Sequence, residues 1–297
     1  MPTTAQIPAS PGSRRLISAL GGYGMVLPAF LLMVAIIAYP AVLSIIQTLT
    51  TGVDGRATGF TLAQYLFFFH DRLSMTNLLY TLRVGFIVLA VLLVVCFPIA
   101  LYLRFSHSKL TSAVYILALF PLFVPTINLS FAMIRFTTTH GLLDTLLSRA
   151  GLVHYVTPYL RTSGTIIGLV WEGIPFTVLI LNAAMVQVDD SLLESARDVG
   201  ASIPQVFLRI LLPLIKNAVI IILALQFLGI LGSYTIPYLL GPAEPEMIGV
   251  FMERTYDQVH APLQAQTQAV ISFFIAAIAG ILYVRTVASQ QRRTEGR

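Results

Sequence analysis

The chain has 297 residues, of which 57% are hydrophobic and 10% charged. A typical soluble domain carries about 25% charged residues, so a water-soluble enzyme or binding module of this length is excluded and an integral membrane protein is indicated. The formal net charge of +5 calls for no nucleic acid, because the Lys and Arg residues fall where membrane topology would place them.

In chain order, residues 1–22 are polar, rich in Pro, Ser and Ala, and read as a tail. Arg14 and Arg15 ahead of an apolar run have the look of an export signal. The next run, 24–46, is longer than the roughly 7–15 residues of a signal core and reads as an uncleaved first span. Further apolar runs occupy 79–102, 111–134, 165–186, 212–234 and 265–287. Each provides the roughly 20 helical residues that cross a bilayer core of about 30 Å. Six continuous runs predict an all-α membrane protein, since a β-barrel would show short alternating segments. The membrane domain then covers 23–288, with a second tail at 289–297.

Orientation comes from the basic residues. With both termini cytoplasmic, that side holds Arg14, Arg15, Arg104, Lys109, Arg197, Arg209, Lys216, Arg285, Arg292, Arg293 and Arg297. The other side holds Arg56, Arg72, Arg83, Arg135, Arg149, Arg161 and Arg254. Eleven against seven selects this orientation.

Prolines at 40, 98, 121, 125 and 175 interrupt the spans. Each removes a helical hydrogen bond, and Pro121 with Pro125 makes the third span the one expected to bend beside a pathway, near Asn128. The connections 50–77, 135–163 and 235–262 are too long for turns and have enough apolar content for short interfacial helices. Cys96 is the sole cysteine; it allows no intramolecular disulfide and reads as packing. Glu172 is the one acid within a span, costly there unless paired or hydrated. It either faces the path, with Asn128 and Tyr234 as polar neighbours and Trp171 as a cation–π surface, or forms a structural ion pair with Arg83.

Between the fourth and fifth runs lies an island of charge, 187–213. Ser191 and Glu194 have capping-box spacing, as do Ser202 and Gln205. Leu192, Ala196 and Val199 make one apolar stripe, and Ile203, Phe207 and Ile210 a second. Gly200 suits a left-handed helix terminus. A helix, a glycine turn and a second helix form a protruding knuckle. The phrase Leu193-Glu194-Ser195-Ala196-Arg197-Asp198, then Gly200-Ala201, then Ile210 and Leu212-Pro213, resembles the EAA loop of binding-protein-dependent ABC importer permeases. Ser195 stands where that family usually has Ala, a small-for-small exchange. The likeness extends to Tyr80-Thr81-Leu82-Arg83, similar to the Asn-Thr-Leu-Arg entry common in these permeases, and to Gly141-Leu142-Leu143-Asp144 and the stretch Leu231–Gly241, which are similar to the spermidine/putrescine branch.

The resemblance implies the type I importer fold, a six-helix bundle paired with a second permease subunit, identical or paralogous, around one path. It further implies a cytoplasmic ABC ATPase dimer docked on residues 193–198, 200, 201, 210, 212 and 213, a soluble extracytoplasmic substrate-binding protein, and a place in the bacterial cytoplasmic membrane. The substrate class is polyamine-like; phosphonate, opine, ferric iron and sugar importers share several of these phrases. No catalytic residue, metal ligand or cofactor is expected in this subunit. Lys109 and Lys216 lack the Gly-Lys-Ser/Thr context of a phosphate loop, so ATP would be bound by the partner. None of the five histidines begins a His-Glu-x-x-His motif. An ion-coupled secondary carrier is the rival class, and it would want ionisable groups near the midplane.

Overall fold

The computed structural model describes residues 24–57, 59–106, 108–151 and 156–295. These are helical apart from loops and one isolated bridge, Thr51 with Ala57. The chain divides after Tyr65 into two compact units.

In the first unit, α1 (Gly24–Thr50) is one helix with a π turn at Val34–Ala38. Pro40 cannot donate a hydrogen bond, and its ring crowds the carbonyl four residues back. The π turn widens the backbone just ahead of it, so the proline is absorbed inside the helix. After α1 the chain folds back locally. The hydroxyls of Thr48 and Tyr65 lie 2.8 Å apart, and Gln64 Nε2 donates to the Gly52 carbonyl at 3.0 Å. The division of the chain falls inside α2 (Ala63–His70).

The second unit is built on α3 (Arg72–Phe105). This helix begins ahead of the expected 79 because of a cap: Asp71 accepts from the Ser74 N–H at 2.8 Å and from its hydroxyl at 2.6 Å. Val84, Val88, Leu92, Cys96 and Ala100, each four residues apart, form a buried stripe. The stripe packs along α7 (Thr162–Val186), whose Leu169, Val178, Leu181 and Met185 are buried in return. Leu79, Arg83, Phe86 and Val94 lie on the opposite, outward face of α3. Apart from Arg83 this outward face is apolar, as a helix against lipid or another membrane subunit requires.

The third predicted span is broken. It consists of α4 (Leu110–Leu119), a 3₁₀ turn at Phe120–Phe123, and α5 (Thr126–Thr137). The arms Leu110–Phe123 and Thr126–Arg149 are bent by 108°. Pro121 and Pro125 are the cause, since neither can donate and Pro125 holds extended backbone (ψ 136°) at the start of α5. The long connection after α5 carries α6 (Leu142–Arg149).

Beyond α7 come α8 (Asp190–Asp198) and α9 (Pro204–Leu231). The second knuckle helix is continuous with the fifth span. A π turn at Phe207–Leu211 precedes Pro213 as another precedes Pro40. The last connection carries α10 (Thr235–Leu240) and α11 (Ile248–Asp257), and α12 (Pro262–Glu295) completes the unit. This last helix packs on α9 and α11 and runs on through 289–295, residues whose composition suggested a tail. The 1–22 tail lies outside the described residues.

Two close approaches hold α10 against α7. A Cβ on Gly168 would meet Ile236 Cγ2 at 2.7 Å, and one on Gly164 would meet the Leu240 carbonyl at 2.9 Å. Only glycine at both positions allows this contact. The segment leading into α11 is fixed on α3, where the Glu246 N–H donates to Asn77 Oδ1 at 3.0 Å and the Ile248 N–H to Thr81 Oγ1 at 2.7 Å.

Candidate functional sites

The knuckle is a short helix with a built stop. Gly200 has φ of +85°, a conformation that costs other residues about 1–2 kcal/mol. Its N–H donates to the Arg197 carbonyl at 2.8 Å and the Ala201 N–H to the Ala196 carbonyl at 3.0 Å. This paired pattern is the Schellman stop. A Cβ on Gly200 would meet nothing within 4 Å, so backbone conformation alone demands glycine there. The start of α8 differs from expectation. The helix begins at Asp190, ahead of the expected Ser191–Glu194 capping box, and Ser195 Oγ donates back to the Ser191 carbonyl at 2.7 Å. The second box is half formed, with the Ser202 N–H donating to Gln205 Oε1 at 2.8 Å.

The apolar face of α8 also differs. Leu193 is buried and Ala196 packs on the core, whereas Leu192 and Val199 are 51% and 85% exposed. The stripe of Leu192, Ala196 and Val199 is therefore split, with Ala196 on the packed side and Leu192 and Val199 on the free one. Glu194, Ser195, Arg197, Asp198, Gly200 and Pro213 are exposed or nearly so; Ala201, Ile210 and Leu212 are half-buried.

Between α5, α7, α9 and the start of α10 lies a cavity of about 330 Å³ lined by Thr126, Glu172, Gln226, Ser233, Tyr234 and Thr235, among others. Glu172 Oε1 accepts from the Thr126 hydroxyl at 2.8 Å. Gln226 Nε2 donates to the Gly173 carbonyl and to Thr177 Oγ1, both at 2.8 Å. Gly173 permits this approach, since a Cβ there would lie 3.0 Å from that nitrogen. Tyr234 stacks on Tyr238 at the rim, with ring centroids 5.2 Å apart.

The expected neighbours of Glu172 sort into those that share its cavity and those that do not. Tyr234 shares it. Asn128 does not line it, because it is two residues past Thr126 and so about 200° around the helix. Trp171 lines a separate cavity of about 770 Å³ with Leu129, Met133 and Phe136. Arg83 is not its ion-pair partner: among the described residues the four ion pairs leave Glu172 with no cation in reach. Arg83 sits on the outward face of α3, on the side away from the stripe that meets α7. Local pattern did not single out Gln226 or Thr126. The signal was present, since Gln226 is the one amide within the long apolar run 218–231 of α9.

A second, larger cavity of about 970 Å³ continues along the same two helices toward the knuckle. Its lining includes Phe176, Leu179, Ala183 and Gln187 at α7, Leu214 and Ala218 of α9, and Asp189 and Leu192 at the knuckle. Glu172, Phe176, Leu179, Ala183 and Gln187 recur every three or four residues. They form one row down α7, acidic at one end and apolar in the middle, ending beside Asp189.

Comparison with known proteins identifies the frame in which this row sits. The sequence profile of the family described as binding-protein-dependent transport system inner membrane component matches residues 55–294. The chain belongs to this family. It is a multi-pass protein of the bacterial inner membrane. Among its relatives, the spermidine/putrescine transport system permease protein PotB of Haemophilus influenzae is 32% identical over 158 residues, 53% of this chain and 55% of that protein. PotB of Escherichia coli K12 is 31% identical over 180 residues, 60% of this chain and 66% of that protein. The aligned stretches thus span less than two thirds of either relative. A chain in a crystal structure of a bacterial alginate ABC transporter, in complex with alginate pentasaccharide-bound periplasmic protein, superposes with a TM-score of 0.75 at 20% identity, covering 95% of this chain and 97% of that one. That likeness establishes the type I importer permease fold.

Proposed function

We propose that this chain is the membrane-spanning permease subunit of an ATP-driven importer, forming half of the path for a polyamine-type cation handed over by an extracytoplasmic binding protein. The observation that carries the reading is the row on α7 from Glu172 to Gln187, lying along a surface that a second permease subunit would close. An ionised carboxylate within a membrane span is expensive and is kept where it meets a partner. Among the described residues its partner is a hydroxyl, which leaves the charge to be met by a cationic solute. Tyr234 and Tyr238 supply aromatic faces for an alkylammonium. The same carboxylate repels phosphonates and other anions. The 31–32% identity to spermidine/putrescine permeases supports the same substrate class.

In this reading both termini and the knuckle face the cytoplasm. Leu193–Asp198, Gly200, Ala201, Ile210, Leu212 and Pro213 form the element on which an ABC ATPase dimer works, with ATP bound by that partner and no cofactor in this subunit. ATP binding draws the two ATPases together and moves the paired knuckles, favouring the outward-open arrangement through contacts that differ between the two states.

The test is uptake of labelled spermidine by the complete importer in proteoliposomes loaded with ATP. The reading expects ATP-dependent uptake, competed by putrescine and unaffected by phosphonates. Uptake without ATP, driven by a proton gradient in this chain alone, would overturn the importer assignment. ATP-driven uptake of an anion would overturn the substrate class.

A further inference from the structure

The last turn of α3 grips the knuckle at both ends. Arg104 Nη2 lies 2.5 Å from Asp190 Oδ1, the first residue of α8. The same guanidinium donates from Nε to the Met185 carbonyl at 3.1 Å and from Nη2 to the Val188 carbonyl at 3.2 Å. These carbonyls belong to the end of α7 and the turn beyond it, where the negative end of the helix dipole favours a cation; the Met185 carbonyl also accepts the Val188 N–H at 3.2 Å. One side chain, 16% exposed, therefore joins three elements: α3, the end of α7 and the start of α8. The next residue, Phe105, does the same at the other end of α8. The Arg197 guanidinium carbon stands 5.9 Å from the centre of its ring, and that of Arg104 is 5.5 Å away, within the range of a cation–π contact.

We propose that Arg104 is a positioning residue of the transport cycle and that the Arg104–Phe105 turn is the mount through which knuckle movement reaches the path. The inference rests on the reading of the knuckle as the ATPase-docking element. Its physical content is a rigid connection. α8 is nine residues long and too short to hold its own direction. With both ends tied to the last turn of α3, it cannot tilt without carrying α3. α3 in turn packs along α7 through its four-residue stripe, and α7 bears the row from Glu172 to Gln187. A push on α8 is thereby delivered to the path-lining helix as a displacement of α3 and α7 together. With the mount cut, α8 can move while α7 stays. Arginine suits the position because its planar fork reaches several acceptors at once, which lysine cannot do.

The complete importer in proteoliposomes provides the test, in a Cys96→Ala background. Val199→Cys, at the exposed C-terminal cap of α8, reports ATPase contact by crosslinking. Phe176→Cys, on the row, reports access by its maleimide labelling rate with and without ATP and vanadate. Arg104→Gln and Asp190→Asn are each expected to keep the Val199→Cys crosslink and ATP hydrolysis while the ATP-dependent change in Phe176→Cys labelling shrinks about fivefold. Arg104→Lys should fall between, and the double variant should be no worse than Arg104→Gln alone. Asp190 is 65% exposed, so Asp190→Asn carries the test even where Arg104→Gln fails to assemble. A full labelling response in Asp190→Asn and Arg104→Lys, with the crosslink intact, would overturn the mount alone. Absence of the crosslink in the parent would overturn the docking reading beneath it.

Discussion

The Thr81 hydroxyl accepts the backbone N–H of Ile248 at 2.7 Å and donates to the Asn77 carbonyl, also at 2.7 Å. Thr81 is fully buried, so this oxygen, together with Asn77 Oδ1, pins the segment leading into α11 onto α3. The short phrase Tyr80-Thr81-Leu82-Arg83, one of the marks of family resemblance, thereby has a structural purpose.

Thr81→Val keeps the shape and strands the Ile248 N–H in a buried place. A buried donor left unpaired costs about 1–3 kcal/mol. The variant should lower the melting temperature in detergent, and Thr81→Ser should restore most of it. Equal melting of Thr81→Val and the parent would show that the segment is held by other contacts.

Gly200→Val is expected to leave insertion and yield near normal while uncoupling ATP hydrolysis from uptake. The cause is the φ of +85°, which a β-branched side chain resists by about 1–2 kcal/mol or more; there is no clash, as the space around the residue is open. Gly200→Asn, which tolerates the left-handed region better, should be milder. Comparing ATP consumed per solute imported for the two variants checks the ordering, and intact coupling in Gly200→Val would remove the knuckle from the mechanism.

Much of this architecture is legible in sequence, and the reasons for success and failure are physical. Spans are legible because a bilayer core demands some twenty apolar residues whatever the neighbours are. The bend of the third span is legible because Pro121 and Pro125 break a helix locally, and the stop at Gly200 because the left-handed region selects glycine. Helix phase is not. The capping spacing of Ser191 and Glu194 points to one start for α8, the chain takes Asp190, and the buried leucine is Leu193, outside the stripe of Leu192, Ala196 and Val199. Facing is lost in the same way: Arg83 and Glu172 are at similar depth in the sequence, yet Arg83 lies on the face of α3 turned away from α7. Gln226, Arg104 and Gly168 matter through residues 50 to 90 positions distant, which local pattern cannot connect.

The row on α7 predicts alternating access at a single residue. Phe176→Cys, in a Cys96→Ala background, should be labelled from the knuckle side in the resting importer and from the opposite side when ATP is trapped on the ATPases. Labelling from one side only, in both states, would take Phe176 off the path.

The most direct measurement is spermidine uptake by the complete importer carrying Glu172→Gln, with assembly and ATP hydrolysis measured in parallel. The substitution keeps the shape, and the glutamine side chain still accepts from Thr126, but it removes the charge offered to the solute. A charge-assisted contact is worth about 1.5–3 kcal/mol, so uptake efficiency should fall at least about tenfold with the complex and its ATPase activity retained. Uptake equal to the parent would contradict the account, because the carboxylate in the cavity would then have no part in moving the cation.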